Sequence, residues 1–158
     1  MDQPLKSLED LWPLQAALNV KGGYDTRAIG KKLLEAMNSA AGSQPPSSVM
    51  VEVGAALKSY IDALAAECHE LQECLSWKHW YREAREGRRF ELRDVQNARV
   101  EATDMLFFWI SICQLLGLEP ADVYRLYGAK LGINHRRQDE NRTQAQHADH
   151  EDENRNII

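Results

Sequence analysis

The stretch VMVEVGAALKSYIDALAAECHELQECLSW, residues 49–77, decides the fold of this chain. Its apolar residues return every three or four positions, which places them on one face of an α-helix. The stretch therefore predicts one long helix that buries an apolar face against neighbouring helices. The residues of that face are Val53, Ala56, Leu57, Tyr60, Ile61, Leu64, Leu71 and Leu75.

The sequence on both sides of this stretch also favours helices. It contains no Asn-Gly or Asp-Gly hairpin turn, and its β-branched residues do not alternate with polar ones. Further helices are predicted over 7–19, 26–41, 94–116 and from 120 to about 139, with a solvated, charged connection over 82–93. Long helices joined by short connections predict an all-α fold, an antiparallel helical bundle of about five helices.

Length and charge restrict the class of protein. The chain has 158 residues, which suits one domain, and we predict that domain over 1–143, followed by a charged, disordered tail over 144–158. A hydrophobic content of 44% argues against a chain that is disordered throughout. With 19 basic against 24 acidic residues, the formal charge is −5. General nucleic-acid binders are usually basic, so we expect no nucleic-acid partner.

Apolar runs and cysteines indicate the compartment. No run approaches the roughly 18 apolar residues of a membrane-spanning helix, and we expect neither a signal peptide nor a membrane partner. Cys68, Cys74 and Cys113 are odd in number and form no Cys-x-x-Cys pair. They predict neither a disulfide framework nor a zinc ribbon, so the expected location is a reducing cytoplasm.

Carboxylate spacing is the most informative chemical feature. Glu67 and Glu70 lie three residues apart on the long helix, and Glu101 and Asp104 repeat that spacing on the helix predicted over 94–116. Both pairs lie among apolar residues, so they are predicted to point between packed helices, where cations must offset their repulsion. Oxygen ligands favour Mg²⁺. The alternative is that these acids lie on solvated helix faces, where such spacing is common.

Three further groups of polar and aromatic residues follow the same helices. If the long helix continues to Trp77, a rotation of about 100° per residue places this ring near Glu70. Lys78 would then meet phosphate. The stripe Lys130, Asn134 and Arg137 suits a polyphosphate clamp, and Gln15 with Asn19 offers amides to a base edge. The alternatives are a core tryptophan, cations that complement a helix dipole, and surface amides.

These residues together resemble the all-α nucleoside triphosphate pyrophosphatases. The resemblance is to the dimeric all-α dUTPase family within the MazG-like superfamily, which includes phage dCTP and dUTP pyrophosphatases. It spans about positions 11–139 and is carried by LQAALN at 14–19, ECHELQECLSWKHW at 67–80, EATD at 101–104 and KLGINHRRQD at 130–139. The chain departs from the family pattern at Phe107, where members usually carry histidine, and at 140–142, where a Gly-Tyr pair is usual.

The resemblance implies a Mg²⁺-dependent hydrolysis of dUTP to dUMP and pyrophosphate. This reaction would remove dUTP from the nucleotide pool and supply dUMP. It implies two or more Mg²⁺ ions, with Mn²⁺ as a substitute, held by Glu67, Glu70, Glu101 and Asp104. One of the first two glutamates also activates the attacking water. It further implies phosphate contacts from Lys78, Lys130 and Arg137, and nucleoside contacts from Gln15, Asn19, Trp77 and Asn134. The expected assembly is a homodimer in the cytoplasm of a bacterium or a phage-infected host.

Three other functions compete with this hypothesis. The first is a MazG-like pyrophosphatase that prefers dCTP or accepts several dNTPs. The second is a non-catalytic helical module that binds nucleotide or a protein. The third is a di-iron carboxylate protein, which would need Glu-x-x-His pairs, whereas Glu67 and Glu101 are followed three residues later by Glu70 and Asp104.

Overall fold

The computed structural model describes residues 4–40, 43–139 and 157. These residues form six α-helices and no β-strand, which confirms the predicted all-α class. The sixth helix, beyond the five expected, is the four-residue α4, which lies in the predicted connection. The helices are α1 (Leu8–Lys21), α2 (Thr26–Ser39), α3 (Ser47–Glu73), α4 (Arg82–Arg85), α5 (Val95–Leu115) and α6 (Pro120–Asp139).

The chain divides into two compact units, residues 1–117 and 118–158. Helices α1 to α5 belong to the first unit, and α6 belongs to the second. The predicted boundary between 143 and 144, and nearly all of the predicted tail, lie outside the described residues.

Local sequence signals set several helix ends. Asp25 and Asp94 cap α2 and α5, because their Oδ1 atoms accept hydrogen bonds of 2.9 Å from the backbone N–H groups of Ala28 and Asn97. Gly117 follows α5 with φ of +74°, a left-handed conformation that glycine adopts without strain. Helix α6 begins at a proline, as predicted.

The predicted end of α3 at Trp77 is wrong, because the helix ends at Glu73. Beyond it, the backbone N–H of Ser76 donates to the carbonyl of Glu91 at 2.8 Å, and the N–H of Phe90 donates to the carbonyl of Ser76 at 2.9 Å. These two bonds join the end of α3 to the segment just before α5. The backbone at Ser76 is therefore held by a distant part of the chain and leaves the helical path.

Helices α1 and α3 both run antiparallel to α5. At the end of α3, Cys74 Sγ accepts from Asn97 Nδ2 of α5 at 3.4 Å. About four turns earlier on α3, Tyr60 packs on Phe108 of α5 with ring centroids 6.4 Å apart. Along α1, the carbonyl of Trp12 meets the side chain of Gln114, and Gln15 meets Ser111. This arrangement brings the middle of α5 against both helices and forms the frame of the candidate site.

The core is built where α2 packs on α3 and α5. Leu33, Val49 and Val53 are buried together between α2 and α3. A Cβ atom added at Gly30 would overlap the carbonyl oxygen of Gln114 and lie 2.9 Å from the backbone nitrogen of Gly117. Only glycine therefore allows α2 to cross so close to the end of α5.

No single described helix is both long enough and apolar enough to cross a membrane, and α5 with α6 reaches that length and composition only when the two are counted together.

Candidate metal and nucleotide site

Three acidic side chains converge where α3 packs on α5. Glu67 comes from α3, and Glu101 and Asp104 come from α5; one carboxylate oxygen of each lies within 4.8 Å of the others. Glu101 is buried, with 8% of its surface exposed, whereas Glu67 and Asp104 are half-buried. We call these three residues the acidic trio. The sequence predicted their convergence from the spacing of the acids on the two helices.

Glu70, the fourth predicted ligand, does not belong to this trio. It lies three residues after Glu67 on α3, and its side chain is exposed. It is still close enough for its charge to act on Glu67, because it contributes to the raised pKa of that residue. The structure thus brings three of the four predicted carboxylates together and leaves Glu70 at their solvent side.

The acidic trio concentrates negative charge at one place. Partial burial raises the pKa of Glu67 above its ordinary value, and the charges of Glu70, Asp104 and Glu101 raise it further. Opposite ligands of an octahedral Mg²⁺ stand about 4.2 Å apart, twice the usual Mg–O distance. The oxygens of the trio, within 4.8 Å of one another, need only a small side-chain adjustment to fit such an ion. As a donor set of hard oxygens, they suit Mg²⁺ or Mn²⁺.

A cavity of about 560 Å³ opens beside the acidic trio. Its volume lies in the usual range for small-molecule sites. Glu67 and Asp104 give it an acidic wall, and aromatic and amide side chains of α1, α3 and α5 give it a second kind of surface. Its lining residues are Gln15, Leu18, Asn19, Lys21, Gly22, Tyr60, Glu67, Asp104, Phe107 and Phe108. We call it the central cavity.

Gln15 and Asn19 are buried, not surface amides, and both line the central cavity. Gln15 Nε2 donates to Asn19 Oδ1 at 2.8 Å and to Ser111 Oγ at 3.1 Å. Asn19 Nδ2 in turn donates to Ser111 Oγ at 2.9 Å. The two amides predicted to contact a base are therefore next to the acidic trio, and the amide of Asn19 is largely engaged by other side chains.

Sequence analysis did not identify the partners of these amides, which are Thr26, Ser111 and Gln114. All three are buried polar residues. A signal for two of them was present, because Ser111 and Gln114 lie three residues apart within an apolar run of α5. A buried polar side chain needs a hydrogen-bond partner, so this spacing predicts polar residues on the facing helix.

Trp77 and Lys78 lie at a different place from the one predicted. Because α3 ends at Glu73, Trp77 does not continue the helical face of Glu70. Trp77 Nε1 donates to one oxygen of Glu73 at 3.1 Å, and Lys78 Nζ lies 3.3 Å from the other. Both residues line a second cavity of about 330 Å³ and are not among the residues that line the central cavity. The hydrogen bond from Trp77, and then Lys78, lowers the pKa of Glu73.

Lys130, Asn134 and Arg137 lie on α6 at the predicted spacing of four and three residues. Lys130 and Arg137 are half-buried and Asn134 is exposed. Helix α6 belongs to the second compact unit. A role for this stripe in phosphate and nucleoside binding stays a prediction.

Comparison of the chain with protein-family models, with curated proteins and with solved structures gives no match in any of the three. The resemblance to the all-α pyrophosphatases therefore depends on the motifs of the sequence alone.

Proposed function

We propose that this protein is a Mg²⁺-dependent nucleotide pyrophosphatase that hydrolyses dUTP to dUMP and pyrophosphate. The observation that carries the proposal is the acidic trio at the wall of the central cavity, where oxygens of three carboxylates lie within 4.8 Å of one another. A deoxynucleoside triphosphate needs two things side by side, a place for divalent cations and a space for a base. The trio and the cavity supply this combination.

Charge explains why cations belong in the mechanism. A triphosphate is strongly anionic, and the acidic trio repels it unless a cation lies between them. Bound Mg²⁺ would offset the negative charge of the phosphate oxygens and make the phosphorus more electrophilic. Glu67, Glu101 and Asp104 would hold the ions. Glu70, which is exposed beside the trio, is then available to orient the attacking water and accept its proton.

The reaction itself needs little further help from the chain. Water adds its oxygen to phosphorus, the anhydride bond between the α and β phosphates breaks, and dUMP and pyrophosphate leave. Phosphoryl transfer of this kind depends mainly on positioning and on stabilising spread-out negative charge.

We assign the base to the central cavity beside Gln15 and the aromatic rings of Tyr60 and Phe108. From the resemblance, we keep Lys130 and Arg137 as phosphate-binding candidates, and Asn19 and Asn134 as nucleoside-binding candidates.

A second substrate range, dCTP or several dNTPs, is favoured by Phe107. This residue lines the central cavity and is 43% exposed, at the position where the resembled family usually carries histidine. A phenyl ring offers no hydrogen bond to the oxygens of uracil, so discrimination between pyrimidines is expected to be weaker. The variant Phe107→His is expected to increase the preference for dUTP over dCTP.

We also propose a homodimer, as the resemblance implies. An apolar cavity of about 540 Å³ lies between α1 and α5 and supports this proposal. Exposed leucines border it, Leu14 and Leu18 among them, with 42% and 52% of their surfaces exposed. Such a surface is suited to burial against a second copy. Sedimentation equilibrium of the full chain measures the mass, and a monomer at all concentrations contradicts this part of the proposal.

The test of the function is a nucleotide panel. The full-length protein is incubated with dUTP, dCTP, dTTP, dATP and dGTP, with MgCl₂ or with EDTA, and pyrophosphate is measured. We expect release from dUTP with Mg²⁺ and none with EDTA. Asp104→Asn should lose the activity, while Asp62→Asn, which alters an exposed acid of α3 paired with Lys58, should keep it. Nucleotide binding without pyrophosphate release would favour the non-catalytic module, and no binding at all would reject both.

A further inference from the structure

We propose that the segment between α3 and α5 binds single-stranded nucleic acid, with exposed aromatic rings that stack on unpaired bases and arginines that meet phosphates. We call residues 78–93 of this segment the basic loop. None of the described residues that line the central cavity belongs to the basic loop, so this inference does not depend on the proposed pyrophosphatase.

The basic loop differs in charge from the chain as a whole. It has six basic residues against three acidic ones, a formal charge of +3, whereas the whole chain carries −5. The basic residues are Lys78, Arg82, Arg85, Arg88, Arg89 and Arg93, and all but Lys78 are exposed. The expectation of no nucleic-acid partner came from the charge of the whole chain, and the basic loop has the opposite sign. An acidic protein thus presents a positive surface at one place, which attracts a polyanion.

Two arginines of the basic loop have no acidic partner among the described residues. Three of the other cations form ion pairs with glutamates, and these are Lys78, Arg82 and Arg88. Arg85 Nη2 donates instead to the backbone carbonyl of Trp80 at 3.4 Å. The guanidinium of Arg89 lies 4.6 Å from the centroid of the Phe90 ring. Each of these two arginines therefore places a charge that no acid offsets next to an aromatic residue.

The two aromatic residues beside these arginines are about half open to solvent. Trp80 is 52% exposed and Phe90 is 59% exposed. Trp80 packs edge-on against His79 and Trp77, with ring centroids 4.8 and 6.2 Å away. Its neighbours thus cover part of the indole and leave the rest accessible. An accessible ring beside a cation is the arrangement on which unpaired bases stack while the cation meets the backbone.

The backbone of Phe90 gives an independent reason to look for a ligand. Its φ of +69° lies in the left-handed region, which a bulky residue rarely adopts. The N–H of Phe90 donates to the carbonyl of Ser76 at 2.9 Å, which holds this residue at the base of the basic loop. Neither burial nor backbone conformation favours phenylalanine at this place, so the stability of the fold does not explain the ring. Residues held in such conformations cluster at functional sites.

The order of rings and cations favours nucleic acid over other polyanions. An acidic protein or an anionic membrane would also complement the charge of the basic loop. Bases and phosphates alternate along a single strand, however, and in the basic loop an uncompensated arginine accompanies each of the two open rings. The strand must be unpaired, because bases inside a duplex are already stacked on one another.

The first experiment compares defined polyanions. Fluorescein-labelled oligothymidylate is titrated with the full chain in EDTA, and binding is followed by fluorescence anisotropy. At physiological ionic strength we expect a Kd of about 1–100 μM, the usual range for binding without sequence preference. Oligouridylate should bind in the same range and thereby show whether DNA and RNA are both accepted. Duplex DNA of equal length should bind more weakly, and polyglutamate of equal charge and phosphatidylserine vesicles should not bind in this range.

The second experiment removes the rings. Trp80→Ala and Phe90→Gly should each weaken the binding of oligothymidylate by about 5-fold or more, the usual effect of losing one stacked base. Glycine adopts the backbone conformation of Phe90 without strain, so this variant keeps the fold of the loop. Trp80→Phe, which retains a ring, should keep most of the affinity. Tyr127→Ala, which removes an exposed ring of α6, should leave the affinity unchanged.

The third experiment tests the arginines through the salt dependence of binding. The double variant Arg85→Gln, Arg89→Gln should reduce the slope of log K against log salt concentration by about 1.4, as expected for two lost phosphate contacts on a single strand. The double variant Lys31→Gln, Lys58→Gln removes the same charge from exposed, ion-paired lysines of α2 and α3. It should leave the slope nearly unchanged.

Several outcomes would overturn this inference. Polyglutamate that binds as tightly as oligothymidylate would show attraction by charge alone, without stacked bases. Binding of vesicles but not of oligothymidylate would assign the basic loop to a membrane surface, and an absence of oligothymidylate binding would reject the proposal outright. Full affinity in Trp80→Ala and Phe90→Gly, with circular dichroism showing both variants folded, would remove the rings from the site. Pyrophosphate release from dUTP is measured separately, and neither result decides the other.

Discussion

Replacing Glu101 by glutamine should stabilise the folded state when divalent cations are absent. When Mg²⁺ is present, the variant should be less stable than the wild type. Glu101 is the most buried member of the acidic trio and lies within 4.8 Å of carboxylate oxygens of Glu67 and Asp104. Glutamine has nearly the same shape, carries no charge and can donate an N–H to a neighbouring carboxylate. The substitution therefore removes repulsion without leaving a cavity.

The size of the effect follows from the separation of the charges. At 4.8 Å, two like charges repel by about 0.9 kcal/mol in water and about 3.5 kcal/mol at the dielectric constant of a protein surface. Because Glu67 and Asp104 are half-exposed, we expect the lower end of this range, about 1 kcal/mol. For a chain of this size, that change raises Tm by about 2–4 °C.

Mg²⁺ should reverse the order of stability. At a concentration 100 times the Kd, an ion that binds only the folded state adds about 2.7 kcal/mol, which raises the Tm of the wild type by about 5–11 °C. Glu101→Gln, with a ligand missing, should gain much less. The assay is thermal unfolding followed by circular dichroism, in EDTA and in a MgCl₂ titration.

Asp62→Asn removes an exposed acid of α3 that is paired with Lys58, so it should lower stability by no more than about 0.5 kcal/mol and leave the gain from Mg²⁺ intact. If Glu101→Gln is no more stable than the wild type in EDTA, and Mg²⁺ shifts both equally, then the trio is neither strained by repulsion nor a cation site.

Three further predictions concern packing, cysteine chemistry and pH. Gly30→Ala should destabilise the protein by about 3 kcal/mol or more in urea unfolding, because its Cβ would overlap the backbone of α5, whereas Gly54→Ala, with open space around it, should be neutral or stabilising. Burial raises the pKa of the Cys113 thiol to about 11, so at pH 8 a thiol reagent should label the exposed Cys68 quickly and Cys113 only upon unfolding. Since the pKa of Glu67 is raised in the folded state, its contribution favours folding at low pH and is lost as the pH rises through that raised value. Stability in EDTA should therefore contain a component that falls as the pH rises above the ordinary carboxyl range, and Mg²⁺ should remove it.

Each of these has a clear contrary result. Equal urea midpoints for the two glycine variants would mean that α2 does not approach α5 so closely. Rapid labelling of Cys113 in the native protein, located by peptide mapping, would contradict its burial. For pH, Glu67→Gln should abolish the falling component, and an unchanged pH profile in that variant would assign it to other groups.

The acidic trio could be predicted from the sequence because it depends on local periodicity. The acids lie three residues apart among apolar residues of two helices, which predicts that they lie near the packed faces. Antiparallel packing of α3 on α5 then joins three of them. Glu70 shares the spacing, but its side chain is exposed, unlike that of Glu67 on the same helix. Helical periodicity alone does not fix how far a packed face extends.

Contacts between distant segments account for what the sequence did not reveal. The end of α3 depends on backbone hydrogen bonds between Ser76 and residues 90 and 91. No local sequence pattern predicts these bonds. The burial of Gln15 depends on Ser111, which is 96 residues away. Taken alone, an amide pair on α1 is typical of a surface. Its partners on α5 become visible only when the two helices are packed together.

The pyrophosphatase is tested by the rate of pyrophosphate formation from dUTP, measured for the wild-type chain and for Asp104→Asn, each with Mg²⁺ and after its removal. We expect turnover by the wild type with Mg²⁺ and none in the other three conditions, while the helical circular dichroism of the variant stays intact. Turnover that persists in a folded Asp104→Asn variant, or an inactive wild type on every dNTP, would contradict it.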